Sequence, residues 1–287
     1  MTQAPKAEDV AKARVVYTMP GEDEVGVRQD VEFRGADGGV LTMDVYSPVG
    51  GQIAAGQPAV VVVAGYPDEG MKKILGCRFK EMGSSVSWGR LVAASGMIAI
   101  SYTNREPVAD LHALMKHLHE QGRSLGVDST RIGLWASSGN VPLALSLLMK
   151  PEDTTVKCAA LCYGYMLDRD EATGVADAAA MFKFVNPGAG RSVDEVPKDL
   201  PLFVARAGED QMPRLNESID RFVTAALARN LPLTVVNHAS GPHAFDLFDA
   251  NETSRRIVKE VLRFLQFHLN APAVEGGSAS LAGTNGR

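Results

Sequence analysis

With 287 residues, 45% of them hydrophobic, the chain can bury one large core, and a single folded body is the expectation despite its length. A formal net charge of −5 without any Lys/Arg cluster argues against nucleic acid or an anionic membrane as a partner. Three cysteines, Cys77, Cys158 and Cys162, are too few and wrongly spaced for a disulfide framework or a zinc site.

No apolar run reaches the length of a membrane span, and the start, MTQAPKAEDVAKARVV, lacks the apolar core of a signal peptide, so the chain is read as cytoplasmic. Residues 1–27 are polar and aperiodic and are expected to form a loose lead-in. In VEFRGADGGVLTMDVYSP, Asp37-Gly38-Gly39 separates two alternating stretches, the pattern of a β-hairpin. Pro58 then introduces AVVVVAG, a fully apolar run of the kind found in strands buried on both faces of a parallel sheet. The run ends in Gly65-Tyr66-Pro67-Asp68, and a long connection, about 68–86, leaves from its carboxyl end; connections of that length are usually functional or disordered. SWGRLVAASG reads as a helix stopped by Gly96, and MIAISYTN as the next strand. VADLHALMKHLHEQGRSLG follows as a helix, with Leu111, Leu114, Met115 and Leu118 on one stripe. His112, His117 and His119 fall mostly off that stripe and are read as helix surface rather than ligands.

The stretch Arg131–Lys150, RIGLWASSGNVPLALSLLMK, organises the rest. Ile132, Leu134 and Trp135 make a buried strand, and from Pro142 onward the chain reads as a buried helix. Only Ala136-Ser137-Ser138-Gly139-Asn140 lies between them. A strand that turns so abruptly into a helix holds one residue in a strained conformation, with small residues two positions to either side. That arrangement lifts a serine hydroxyl above the sheet and aims the helix N-terminus at it. If Ser137 held the strained position, the indole of Trp135 would sit two before it, against the helix. Ser138 has Ala136 and Asn140 there instead and is the candidate nucleophile.

VKCAALCYGYM reads as a further buried strand, with Cys158 and Cys162 as core residues. From about Leu167 to Asp199 the pattern breaks down, and this is expected as an insertion over one edge of the sheet, a small lid at most. PLFVARAGED resumes as a strand, NESIDRFVTAALARN as a helix and LPLTVVNH as a strand. A last helix, about Thr253–Leu269, carries Ile257, Val261, Phe264, Leu265 and His268 on one stripe. Residues 271–287 are rich in Gly, Ala and Ser and are expected to be disordered. Strand and helix alternate from 59 to 270, which calls for an α/β fold with a mostly parallel sheet and helices on both faces. Ligands of such sheets sit at the carboxyl ends of the strands, and an exposed edge strand could pair two copies in a homodimer.

A serine hydroxyl needs a base to take its proton, and the base an acid to orient it, in the chain order Ser, acid, His. Glu209 and Asp210 follow the strand PLFVARAG; Asp210, two past Gly208, is preferred, and Glu209 reads as a solvated charge. LPLTVVNHASGPHAFDLF offers two histidines. His238 ends the strand and reads as structural, whereas His243 sits in a loop that can reach the serine and is preferred as the base. A developing oxyanion needs two backbone donors, for which the amides of Gly139 and Tyr66 are the candidates.

The span from about 28 to 270 resembles the α/β-hydrolase superfamily, in particular its dienelactone-hydrolase-like and carboxylesterase-like members. DVYSP, AGYPD, RIGLWASSGN, ARAGED and GPHAF carry the likeness. Ala136 and Asn140 stand where that superfamily usually has glycines, and Ala64 replaces the histidine often found before the oxyanion glycine. Ser138 stands where true dienelactone hydrolases carry a cysteine, which turns the expectation from the dienelactone reaction to ester hydrolysis. The resemblance implies a serine hydrolase acting on a small-molecule carboxylic ester through an acyl-Ser138 intermediate, with no metal or organic cofactor. An insertion of about thirty residues is small for a lipase lid, so short acyl chains are expected. A lactonase, a small-peptide hydrolase or an acyltransferase would use the same three residues. A non-catalytic binding protein on this fold would usually lack one of them.

Overall fold

The computed structural model describes residues 6–48, 56–149 and 156–270; the tail expected to be disordered lies outside them. The hairpin is β1 (Gly26–Arg34) and β2 (Val40–Ser47). Six further strands follow: β3 (Gln57–Val62), β4 (Ile98–Tyr102), β5 (Val127–Ser137), β6 (Val156–Cys162), β7 (Leu202–Ala207) and β8 (Leu233–His238). They form one eight-stranded sheet in the order β1-β2-β4-β3-β5-β6-β7-β8, antiparallel at β1–β2–β4 and parallel from β4 to β8. The continuous apolar runs are the inner strands. Ala59 to Ala64 are completely buried, as a strand covered by helices on both faces must be. Pro58 is tolerated in this central strand because it lies at its start, where a missing N–H costs the ladder little.

The helices are α1 (Ala7–Lys12), α2 (Asp68–Leu75), α3 (Gly83–Ala94), α4 (Pro107–Gln121), α5 (Val141–Leu148), α6 (Val175–Phe182), α7 (Leu215–Ala228), α8 (Phe245–Phe248) and α9 (Glu252–Asn270). The long helices α3 and α9 cover one face of the sheet, and α4, α5 and α7 the other. On α4 the residues turned inward are Leu111, Leu114, Met115 and Leu118, the expected stripe. His112 and His117 are half-buried beside it and His119 is exposed. Among the described residues, no helix is long and apolar enough to cross a membrane.

Two segments differ from expectation. The connection at 68–86 is not a loop: α2 occupies its first half, ending at Gly76 in a left-handed conformation, and α3 begins at Gly83, four residues before the recognisable apolar pattern. Ser85 and Ser87 are buried in that first turn, so the inward stripe is not apolar and escapes a hydrophobicity reading. Residues 6–27 are not loose either. Val15 and Val25 are buried, and the Val16 N–H donates to the Asp246 carbonyl at 2.8 Å, which straps this segment across α3 and α8. Val10, Tyr17 and Met19 also pack against the core.

The sheet's strand order reverses at β3, whose parallel neighbours β4 and β5 are reached in opposite directions. The carboxyl ends of β3 and β5 are therefore where such a sheet places its ligand. Ser138 and the Gly65–Pro67 turn stand there.

Candidate active site

β5 runs to Ser137, and Ser138 opens a 3-10 turn, Ser138–Asn140, that continues directly into α5. Ser138 has φ = 53°, a left-handed conformation that costs of order 1–3 kcal/mol for a side chain other than glycine. Neighbours hold it there. Pro142 starts α5 with φ already set, and α5 is buried along its whole length. Gly139 has no room for a side chain, since a Cβ there would lie 2.2 Å from the Tyr66 hydroxyl and 2.7 Å from the Phe184 ring. A Cβ on Gly65 would lie 2.8 Å from the Gly139 carbonyl, so the turn after β3 packs backbone to backbone on the elbow.

The Ser138 Oγ lies 2.9 Å from His243 Nε2, a contact between residues 105 apart in sequence. The other ring nitrogen, Nδ1, lies 2.7 Å from Asp210 Oδ2. An ionised carboxylate only accepts, so Nδ1 carries the proton and the Nε2 lone pair faces the serine hydroxyl. Asp210's second oxygen accepts from the Met212 N–H at 2.9 Å, and its side chain is fully buried while that of His243 remains 25% exposed. The acid is thus held and shielded, and the imidazole can reach a ligand. Ala244, next to His243, is also left-handed at φ = 54° and turns the loop into α8.

The alternatives lie elsewhere. Ser137 keeps extended backbone as the last residue of β5. Glu209 is exposed, and its main chain bonds to the Gly241 carbonyl and the Gln211 side chain. His238 is 1% exposed, with Nε2 3.0 Å from Ser254 Oγ and 3.1 Å from Asp249 Oδ2.

The turn after β3 is held at nearly every polar group. The Ala64 N–H donates to the Tyr102 hydroxyl and the Gly65 N–H to Asn140 Oδ1, at 3.3 and 2.7 Å. The Gly65 carbonyl accepts from the Val185 N–H and the Tyr66 carbonyl from Asn104 Nδ2, at 2.9 and 3.2 Å. Among the described residues no hydrogen bond takes the amide of Tyr66 or that of Gly139. Gly139 follows Ser138 directly and lies at the positive end of α5.

The sequence points to Tyr66 for its amide alone. Its phenol hydroxyl also stands against the elbow, next to the position a Gly139 side chain would take, and burial pushes that phenol's pKa up to about 12, so it is protonated at neutral pH. Asn140, in the sequence only a departure from glycine, clamps Gly65 through its side chain. Nothing in the local sequence signals either role, because each partner comes from a different strand end.

The 167–199 insertion carries α6 and a 3-10 turn at Val193–Glu195. It was expected over one edge of the sheet and instead reaches the elbow: Phe184 is 5% exposed, packs edge-on to Tyr66 with centroids 6.1 Å apart and stacks on Tyr165 at 5.5 Å.

No protein-family model matches the chain, and no curated protein sequence matches it. Solved structures do. A bacterial heroin esterase superposes with a TM-score of 0.64 at 17% identity, over 87% of this chain and 86% of that one. A thermostable esterase from Pseudomonas putida gives 0.66 at 14%, over 88% and 85%. Brefeldin A esterase, a bacterial homologue of human hormone-sensitive lipase, gives 0.66 at 16%, over 90% and 81%. At these identities the likeness concerns architecture, and with the sheet order and the elbow described above it means that the chain has the α/β-hydrolase fold.

Proposed function

We propose that the protein is a serine hydrolase that cleaves carboxylic esters, with Ser138 as nucleophile, His243 as general base and Asp210 as the acid that orients it. The observation that carries this reading is the hydrogen-bonded line Ser138–His243–Asp210 built on a left-handed serine at the carboxyl end of the sheet. The esterase names of the structural neighbours support it at the level of reaction type.

In the first half-reaction the Ser138 Oγ attacks the ester carbonyl while its proton passes to His243 Nε2, and the imidazolium is stabilised by Asp210. Negative charge gathers on the carbonyl oxygen, which the amides of Gly139 and Tyr66 and the Tyr66 phenol receive. Fixed donors of this kind act where charge develops and need no reorganisation. The tetrahedral intermediate collapses, the bond to the alcohol oxygen breaks, and that oxygen takes the proton from His243. Water then repeats the sequence on acyl-Ser138, with His243 as base, and releases the acid. Asn140 and Asn104 keep the oxyanion turn in place throughout.

Short acyl chains fit this site best. Phe184, Tyr66 and Tyr165 form an aromatic wall directly against the elbow, and α6 is only eight residues long. A long acyl groove would raise kcat/KM steeply with length, since each buried methylene contributes about 0.8 kcal/mol. The test has two parts. A fluorophosphonate should add one label, located on Ser138 by peptide mass spectrometry. On p-nitrophenyl esters from acetate to palmitate, kcat/KM should peak within the first few carbons. A label elsewhere would refute the nucleophile, and a maximum at about eight carbons or beyond would refute the short-chain pocket while leaving the chemistry intact.

A further inference from the structure

A second carboxyl lies three residues beyond His243 and takes no part in the line to Ser138. Asp246 is 2% exposed, with Oδ1 accepting from the Tyr163 hydroxyl at 2.5 Å and Oδ2 from the Trp88 indole N–H at 2.9 Å. A buried carboxyl without partners would be strongly destabilising; here each oxygen has its own donor. The cluster spans elements far apart in sequence. Trp88 belongs to α3 and packs on Trp135 of β5, with ring centroids 4.5 Å apart. Tyr163 follows β6, whose end pairs with Ser137, the residue before the proposed nucleophile. Burial pushes the Tyr163 hydroxyl well above its usual range, so it stays protonated and donates.

Both nitrogens of His243 are already engaged, so only the faces and edges of its ring remain to be held. Tyr163 holds them: its ring stands at 72° to the imidazole with centroids 5.3 Å apart, and at the same separation meets Phe245 at 73°. The loop carrying His243 is tied on either side of the imidazole, the Gly241 carbonyl accepting from the Glu209 N–H at 2.9 Å and the Asp246 carbonyl from the Val16 N–H at 2.8 Å. Its helix, α8, is four residues long, and the residue that turns into it is left-handed. Tyr163 is itself left-handed at φ = 35°, a conformation that lasts only where the surroundings over-determine it.

We propose that Asp246 and Tyr163 are positioning residues for His243: Asp246 anchors Tyr163 through its hydroxyl, and the Tyr163 ring keeps the imidazole in line between Asp210 and Ser138. The proposal rests on the reading of those three residues as a catalytic unit. Tyr163→Phe removes one oxygen and keeps the ring. Asp246→Asn replaces one acceptor by a donor, so that either Tyr163 must turn from donating to accepting or Trp88 loses its partner.

The test compares both variants with the wild-type full chain by fluorophosphonate labelling of Ser138, by kcat and KM on p-nitrophenyl acetate, and by the downfield proton signal of the His243 Nδ1–H. Labelling rate and kcat should fall about 10- to 100-fold, as for a misplacement of about an ångström, and the imidazole signal should shift or broaden. KM should stay within about twofold, because the acyl and alcohol sites are untouched. A folded Tyr163→Phe protein with wild-type rates and an unmoved signal overturns the proposal. So does one in which thermal stability drops but kcat does not. If Asp246→Asn does not fold, Tyr163→Phe carries the test alone. A wild-type protein that takes no label on Ser138 refutes the catalytic unit instead, and the proton signal then still reads whether the network holds the ring.

Discussion

The molecule contains two clusters of serine, histidine and aspartate, on either side of the same short loop. In one, His243 bridges: Nε2 meets Ser138 and Nδ1 meets Asp210, and a quarter of the side chain is open to ligand. In the other, Ser254 and Asp249 both crowd the Nε2 of His238, and Nδ1 is buried without a partner among the described residues. Residue types alone do not separate them. What separates them is that a base needs two different nitrogens engaged, one to be oriented and one to receive a proton, in reach of solvent. The buried cluster is a rivet that ties the end of β8 to the start of α9, on which the loop carrying His243 is hung.

The largest effect should come from breaking the exposed cluster at its serine. Ser138→Ala should lower kcat by about 10⁴-fold or more, leaving what the oxyanion donors and binding provide, whereas Ser254→Ala should leave turnover near the wild-type level. Steady-state kinetics on a short p-nitrophenyl ester distinguish the two, and equal losses would erase the contrast.

Next come the acid and the base. His243→Ala and Asp210→Asn should each cost about 10³-fold or more in kcat, and the double variant should be little worse than either, because the residues act as a unit. Additive losses would mean that they act separately.

Asn140→Gly releases the Gly65 amide. With the oxyanion turn no longer clamped, kcat should fall about tenfold, less than the 10²–10³ expected for deleting a donor outright. An unchanged kcat would show that the remaining bonds hold the turn unaided.

The smallest effect on rate should follow from His238→Gln. It breaks the rivet and not the line, so kcat should remain within about threefold while stability drops by about 1–3 kcal/mol through a buried polar group left unpaired. Thermal unfolding reads this as a loss of several degrees. A large fall in kcat at unchanged stability would place His238 in the chemistry.

Much of this architecture is legible in the chain itself. Strands buried on both faces read as unbroken apolar runs such as AVVVVA, and α4 and α9 show their inward stripe, because burial acts on each residue of a regular element with a fixed period. The elbow is legible for a similar reason. A strand passing into a helix within one residue requires small neighbours, and a local steric requirement leaves a local mark. Short or polar elements leave none, so α2, the serine-rich start of α3 and the packed segment at 6–27 emerge only from tertiary contacts that stabilise what local propensity does not.

The site divides along the same line. That one serine at the elbow must be strained, and that an acid and a histidine should follow in that order, are properties of the sequence. Which carboxylate, which histidine and which groups around them converge is decided by the sheet, since neighbouring residues on a strand end point to opposite sides and only assembly shows which side faces the site. Tyr66, Asn140, Tyr163 and Asp246 each meet a partner from another part of the chain, through bonds of 2.5 to 2.9 Å or ring contacts that no spacing in the chain encodes.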